Sequence, residues 1–389
     1  MTASTVASDA VEAIRERVEA AATAGAPLRV VGSGTWLDAG QPVDAAEELS
    51  TRDLRGVVEY VPGDLTLTAR AGTSLAEIRA VTAPEQQWLA LDPFGSDDGT
   101  IGATVATGSW GPLATFFGAP RDLVLGLEIV TGTGSVVRGG GRVVKNVAGF
   151  DLTRLVTGSW GTLGVITEVT VRLHARPEAD RTVVIGLTDG SAGVQRIGDA
   201  LRTLPFRAYA CELLNDAFAR SLGVADQTTV LVRLAGNGEA VAAQRASLER
   251  LGDTRDAAND VWNRLRHAEP RDAIVFRCSR RRSHLAEIWQ HVATVSSACP
   301  GTLVHATPER GVVRCMVPTV GGGMATEHVK RALGADANIT SVGERMPAEL
   351  WGGVAPTPAD PARQRLWRGI QQAFDPGRVL NPGILGSVV

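Results

Sequence analysis

The chain has 389 residues, of which 44% are hydrophobic and 21% charged, which excludes a disordered or fibrous protein and is too long for one ordinary core, so two domains are expected. A net charge of −3 gives no basis for a nucleic-acid partner or for attraction to an anionic membrane surface. The four cysteines, Cys211, Cys278, Cys299 and Cys315, form no C-x-x-C pair, so they read as thiols in a reducing compartment and not as a zinc or iron–sulfur site.

Residues 6–22 intersperse charged side chains with apolar ones, the pattern of an amphipathic helix and not of a signal peptide. No apolar run reaches the roughly 20 residues that span a bilayer. A cytoplasmic location without direct membrane insertion is expected, with peripheral docking at a membrane through partners left open.

From residue 27 to residue 173 the sequence alternates short β-rich runs with glycine: LRVVG, VVEYV, LTLTAR, LVLGLEIV, SVVRGG and LGVITEVTVRL. LEIV and SVVR, joined by Thr131-Gly132-Thr133-Gly134, predict a hairpin. Two helices are predicted among these strands, one starting at Ser74 with Glu77 as its capping-box partner and one over residues 151–156.

After Arg176-Pro177 the units lengthen. Strands are predicted at TVVIGL, RAYACEL, TTVLVRL, AIVFRCS, GTLVHA and GVVRCMV, and helices over residues 240–251, 256–267, 283–296 and 325–333. The division expected is residues 1–178, residues 179–350, and a return segment 351–389 that holds a helix and the turn-rich tail FDPGRVLNPGIL.

Chemistry is sought in the glycine-rich half, since half of the 44 glycines that stand out in the composition crowd into the third of the chain between Gly32 and Gly164. The run Val31-Gly32-Ser33-Gly34-Thr35 follows a predicted strand and reads either as an ordinary tight turn or as a nest of N–H groups for a pyrophosphate. It is not a dinucleotide fingerprint, because position 37 is Leu and Pro42 stops any helix. The run DGTIGATVATG has so little side-chain volume that its backbone can lie against something large. TGSWG occurs twice, at residues 107–111 and 157–161, with Trp110 and Trp160 standing either beside a ligand or in the core.

GFDLTRLVTGSWGTLGVITE, preceded by VKNVA with Lys145 and Asn146, resembles the FAD-binding PCMH-type fold of the vanillyl-alcohol oxidase family. The order VGSGT, TIGATVATG, APRDLVLGLEIVTGTG and then this segment is similar to that fold over residues 25–175, and FDPGRVLNPG resembles its C-terminal return. VKNVAGFDLTRL is most similar to the E-type subunits of glycolate oxidase.

The resemblance implies an α+β architecture: a two-subdomain FAD-binding domain, an α+β cap with an antiparallel sheet, and a tail packing back on the FAD domain. It assigns Val31, Gly32, Ser33, Gly34 and Thr35 to the pyrophosphate loop, and Thr100, Ile101, Gly102, Thr104 and Gly108 to the segment beside pyrophosphate and ribityl chain. Gly158, Ser159, Gly161, Thr162, Gly164, Val165 and Ile166 would bind the adenine half and the flavin edge through backbone groups. VGSGTW offers neither histidine nor cysteine for a covalent tether, so the FAD is expected to be noncovalent.

The function implied is oxidation of glycolate or a similar small 2-hydroxy acid, in a complex with a second flavoprotein subunit and an iron–sulfur subunit. An assembly or electron-relay subunit that does no chemistry itself, and a stand-alone oxidase of another alcohol, remain as alternatives. Such an oxidation needs a cation for the carboxylate and a base for the hydroxyl proton. Arg233 and Arg277 lie in apolar strands, where an unpaired arginine is costly, and both resemble family arginines; Arg277 is the first choice as anion clamp, against the alternative of a strand arginine facing solvent or a carboxylate.

Related D-type subunits carry closely spaced histidines in the cap. Here His267, His284, His291, His305 and His328 are dispersed, and each is expected to be a satisfied surface or core residue. Arg280-Arg281-Arg282, with Arg264, Arg266 and Arg271 nearby in sequence, is expected on a solvated face.

Overall fold

The computed structural model describes residues 3–141, 151–319, 323–334, 338–352 and 361–386. Lys145 and Asn146 lie outside them. The described residues form a mixed α/β structure dominated by two antiparallel sheets.

The first sheet has five strands in the order Val57–Val61, Thr66–Arg70, Val165–Arg172, Val124–Val130 and Val136–Gly140. Its central strand reads VITEVTVR and is buried along nearly all its length, as β-branched residues on a covered strand should be. The TGTG connection closes the hairpin, with Val130 paired to Val136. Ser74 accepts the Glu77 N–H at 3.1 Å and so begins helix Leu75–Thr82.

Beside this sheet, Leu28–Val31 pairs in parallel with Glu47–Ser50. The C-terminal tail joins the same pair: Leu28 N–H donates to Val379 O at 2.7 Å and Asn381 N–H to Leu28 O at 2.9 Å. Ile14, Val18 and Ala21 of helix Ala3–Ala24 pack with Val379 and Leu380 against it.

The second sheet has eight strands in the order Thr254–Ala257, Ala179–Gly186, Thr229–Gly236, Ala210–Leu214, Leu303–Thr307, Val312–Pro318, Ala273–Ser279 and Thr340–Arg345. Alternation along each strand separates its faces. Cys211, Val232, Phe276, Val304 and Cys315 point to the face covered by helices Gly190–Arg202 and Leu285–Ala298. Their neighbours Glu212, Arg233, Arg277, His305 and Arg314 therefore occupy the opposite face.

Two expectations change. The helix expected over residues 256–267 is confined to Val261–His267, and Thr254–Ala257 is instead an edge strand against Ala179–Gly186. The apolar spacing of a helix begins only at Val261, and the sheet edge supplies partners to the residues before it. The small-residue run also folds as a helix, Ile101–Thr107, capped by Thr100 and ended by Gly108 at φ 63°.

Candidate active site

The two TGSWG segments touch. Gly158 N–H donates to Val105 O at 3.0 Å and Trp160 N–H to Ala106 O at 2.7 Å, while a Cβ on Gly108 would lie 3.2 Å from Gly158 Cα. Gly108 is tight against the other segment and Gly158 holds a left-handed backbone at φ 82°, so each glycine has its own reason and the shared sequence requires no duplication.

A cavity of about 920 Å³ runs along this wall. Among the residues expected to hold the cofactor, Val31, Gly32, Ser33, Gly34, Thr35, Gly102, Thr104, Gly161, Gly164 and Ile166 line it. Gly108 lines the adjoining cavity described below. Thr100, Ile101, Gly158, Ser159, Thr162 and Val165 line neither. Ile101 and Val165 are fully buried in the packing behind the wall, and Thr100 caps helix Ile101–Thr107. Helix Val261–His267 contributes Arg266, which was expected on a solvated face with its basic neighbours but is buried and bonded to Pro93 O at 2.9 Å and Asp97 at 2.6 Å, because these partners are remote in sequence.

The residues of this cavity fit an extended dinucleotide. A Cβ on Gly32 would come 2.6 Å from Thr100 Oγ1, so only glycine keeps that backbone open. The buried Ser33 Oγ on the cavity wall has no hydrogen-bond partner among the described residues, a donor in want of an acceptor such as a phosphate oxygen.

A second cavity of about 720 Å³ shares Trp36, Phe94, Thr107, Ser109, Trp160 and Ile384 with the first. Trp160 holds a left-handed backbone at φ 55°. Asn381 fixes it by donating to Trp160 O at 2.7 Å while accepting Val30 N–H at 2.7 Å. The Trp36 and Trp160 rings lie 5.8 Å apart at this junction. Trp110, with Arg310 over its ring at 4.4 Å, lines the second cavity, as do Trp351 and Trp367.

The cap sheet lays a row of polar side chains along the second cavity. His305 pairs in register with Arg314, and Arg314 with Arg277, across three neighbouring strands. His305 Nδ1 lies 2.8 Å from Glu212 Oε2, and Glu212 also accepts the Thr307 hydroxyl at 2.7 Å. Nε2 of His305 is buried without a partner among the described residues. His305 was expected to be satisfied, and its half-satisfied state is a correction: alternation in LVHAT turns it to the cavity face, and its carboxylate partner is remote in sequence.

Arg277 faces the same cavity. Its one hydrogen bond among the described residues runs from Nη1 to Glu344 Oε1 at 3.0 Å, leaving its other N–H groups for a ligand. Glu344 stands at a bulge, between Gly343 paired to Phe276 and Arg345 paired to Val275. It also accepts Arg314 Nε at 2.6 Å, and Arg314 is bound on its other side by Glu269. Burial would raise the Glu344 carboxyl, but Arg314 and Arg277 outweigh it and hold the group below its ordinary value.

Arg233 is placed elsewhere. Its guanidinium is taken by Asp180, at 3.0 Å from Nε and 2.6 Å from Nη2, lies over Trp88, and lines neither cavity. Arg280 and Arg282 pair with Glu287 and Glu309. No group of three metal-ligating side chains occurs among the described residues, and no described helix is long and apolar enough to cross a membrane.

Residues 3–140 match the family described as FAD binding domain. Over 170 residues the chain is 42% identical to glycolate oxidase subunit GlcE of Escherichia coli (strain K12), covering 43% of this chain and 48% of that one. It is 31% identical over 242 residues to glycolate oxidase subunit GlcD of Bacillus subtilis (strain 168), covering 60% and 51%. The chain thus spans about half the length of these relatives. A solved structure of 4-ethylphenol oxidase from Gulosibacter chungangensis superposes with TM-score 0.75 at 16% identity, over 97% of this chain and 87% of the other, a likeness of fold.

Fold, glycine cavity and sequence match together define a flavoprotein with a PCMH-type FAD-binding domain. FAD is its cofactor.

Proposed function

We propose that the chain oxidises a small 2-hydroxy acid of the glycolate kind to the 2-oxo acid, with noncovalent FAD, as one subunit of a complex. The observation that carries this reading is one cavity bearing both the free Nε2 of His305 and the free donors of Arg277, and sharing a wall with the FAD cavity.

Bound FAD would supply a two-electron acceptor for the hydride leaving the α-carbon. Arg277 binds the substrate carboxylate through its N–H groups not engaged by Glu344. The Glu212 carboxylate accepts Nδ1–H of His305, which places the lone pair on Nε2, and there the hydroxyl proton is received. Glu212 orients the ring and stabilises the imidazolium that forms. The aromatic junction of Trp36, Phe94 and Trp160 excludes water between the two cavities.

Membership in a complex is supported by the relatives, both named as subunits of glycolate oxidase. We assign the further partners as a second flavoprotein subunit and an iron–sulfur subunit that carries the electrons away, with association at a membrane arising only through partners.

The test is to mix the FAD-loaded chain, alone and with its co-purifying subunits, anaerobically with 2-hydroxy acids. Bleaching of the flavin band with stoichiometric 2-oxo acid is expected. A flavin that stays oxidised in both preparations contradicts the proposal.

A further inference from the structure

We propose that the range of this site extends beyond small 2-hydroxy acids to those with an aromatic or long alkyl side chain, which it holds more tightly, the head at His305 and Arg277 and the body along the apolar part of the same cavity wall. This rests on the functional reading above and specifies its substrate.

A cavity of about 720 Å³ falls in the range that encloses drug-sized ligands, roughly 300–1,000 Å³. A two-carbon acid would engage the polar row of the cap sheet and leave the rest of that space to water. The rest of the lining is mainly apolar, with Gln41, Arg363 and Gln364 among its polar members. Trp36 and Trp160 line both cavities, whereas Trp110, Trp351 and Trp367 line this one and not the first. Of eight tryptophans in the chain, five line this one cavity.

The outer wall is also unfinished. Helix Pro361–Phe374 has no buried residue, and Leu366, which lines the chamber beside Trp367, is 68% exposed. Tryptophan and leucine presented to water forgo their burial energy, and an apolar ligand body supplies the missing contact. The head-binding residues come from the eight-stranded sheet, and Leu366 and Trp367 come from helix Pro361–Phe374, which also brings Arg363 and Gln364 to the lining.

The experiment measures binding separately from turnover. The FAD-loaded full chain is titrated with acetate, octanoate and 3-phenylpropanoate, which lack the hydroxyl and are not oxidised, and binding is read from perturbation of the flavin absorption. At least about tenfold tighter binding of 3-phenylpropanoate or octanoate than of acetate is expected. Arg277→Ala should weaken all three, and Leu366→Ser, at an exposed position that leaves folding intact, should reduce the ratio between long and short acids.

Acetate binding as tightly as the longer acids overturns the proposal. So does a preference for long acids that neither substitution changes, because the acids would then be bound elsewhere. Failure of every 2-hydroxy acid to bleach the flavin, with the binding preference intact, would instead count against the redox reading, so the two can fail separately.

Discussion

His305 and Glu212 form a buried pair, Nδ1 to Oε2 at 2.8 Å, and the second imidazole nitrogen of His305, a residue of the cavity lining, is buried without a partner among the described residues. A buried imidazole nitrogen without a partner is a group that a ligand can satisfy. The account predicts that His305→Asn lowers kcat by roughly 10²- to 10⁴-fold, with the ratio of flavin to protein absorbance unchanged. Glu212→Gln should give a smaller loss, because Thr307 and the packed ring still hold the geometry. Unchanged turnover in His305→Asn would remove it as the base.

Arg277 is expected to act on binding more than on the chemical step. Arg277→Ala should raise KM roughly 10- to 100-fold, the effect of one charge-assisted hydrogen bond, while FAD content stays constant. Arg233→Ala should leave KM unchanged and lower stability, since Arg233 serves Asp180 and Trp88. Steady-state kinetics on the two variants separates the roles.

Gly32 tests the cofactor cavity. A Cβ there meets Thr100 Oγ1 at 2.6 Å and Ala103 Cβ at 3.1 Å, so Gly32→Ala should cost about 1–3 kcal/mol by overpacking and reduce bound FAD. Gly63, with nothing near its missing Cβ and an ordinary φ, is the control. Gly63→Ala should alter neither the melting temperature nor the flavin content by more than a small amount.

Asp92 predicts a pH dependence of stability. Burial pushes its carboxyl up to about 7, against the opposing pull of Arg266 and of the Leu113 N–H, from an ordinary value of 3.8. Between those values the folded protein holds a proton that the unfolded chain releases. The contribution is therefore fully present at the acid end, is lost as pH rises from about 4 to about 7, and is constant above. Asp92→Asn, neutral throughout, should lose this slope and gain stability relative to the wild type at about pH 8 compared with about pH 5. Denaturant unfolding at the two pH values measures the difference.

Asn381 joins the tail to both Val30 and Trp160 through its side chain. Asn381→Ala should lower stability by about 2–3 kcal/mol, from two buried hydrogen bonds lost, with release of Trp160 visible in tryptophan fluorescence.

What could be read in the sequence follows from the range of the interactions involved. The hairpin at residues 131–134, the Ser74 cap and most strands of the two sheets depend on neighbours a few residues apart, and local pattern reveals them; the edge strands Thr254–Ala257 and Thr340–Arg345 were not read. Gly32, Gly34, Gly102, Gly161 and Gly164 of the larger cavity lining stood out in the sequence because close backbone approach permits few residue types. Helix Ile101–Thr107 was not, since its small residues carry no apolar periodicity.

The reactive pair was illegible for another reason. Glu212 and His305 meet only because Ala210–Leu214 lies beside Leu303–Thr307 in the sheet, an adjacency without local signal. Alternation in LVHAT could have placed His305 on the face shared with Arg277, once the neighbouring valine and alanine were assigned to the helix-covered side.

The most direct test of the central claim is stopped-flow, anaerobic reduction of the FAD-bound protein by 2-hydroxy acid protiated or deuterated at the α-carbon, in wild type and His305→Asn. The account predicts flavin bleaching that is slowed by deuterium in the wild type and largely lost in the variant despite full FAD occupancy. Equal rates of bleaching in the two proteins, or none in either, would contradict it.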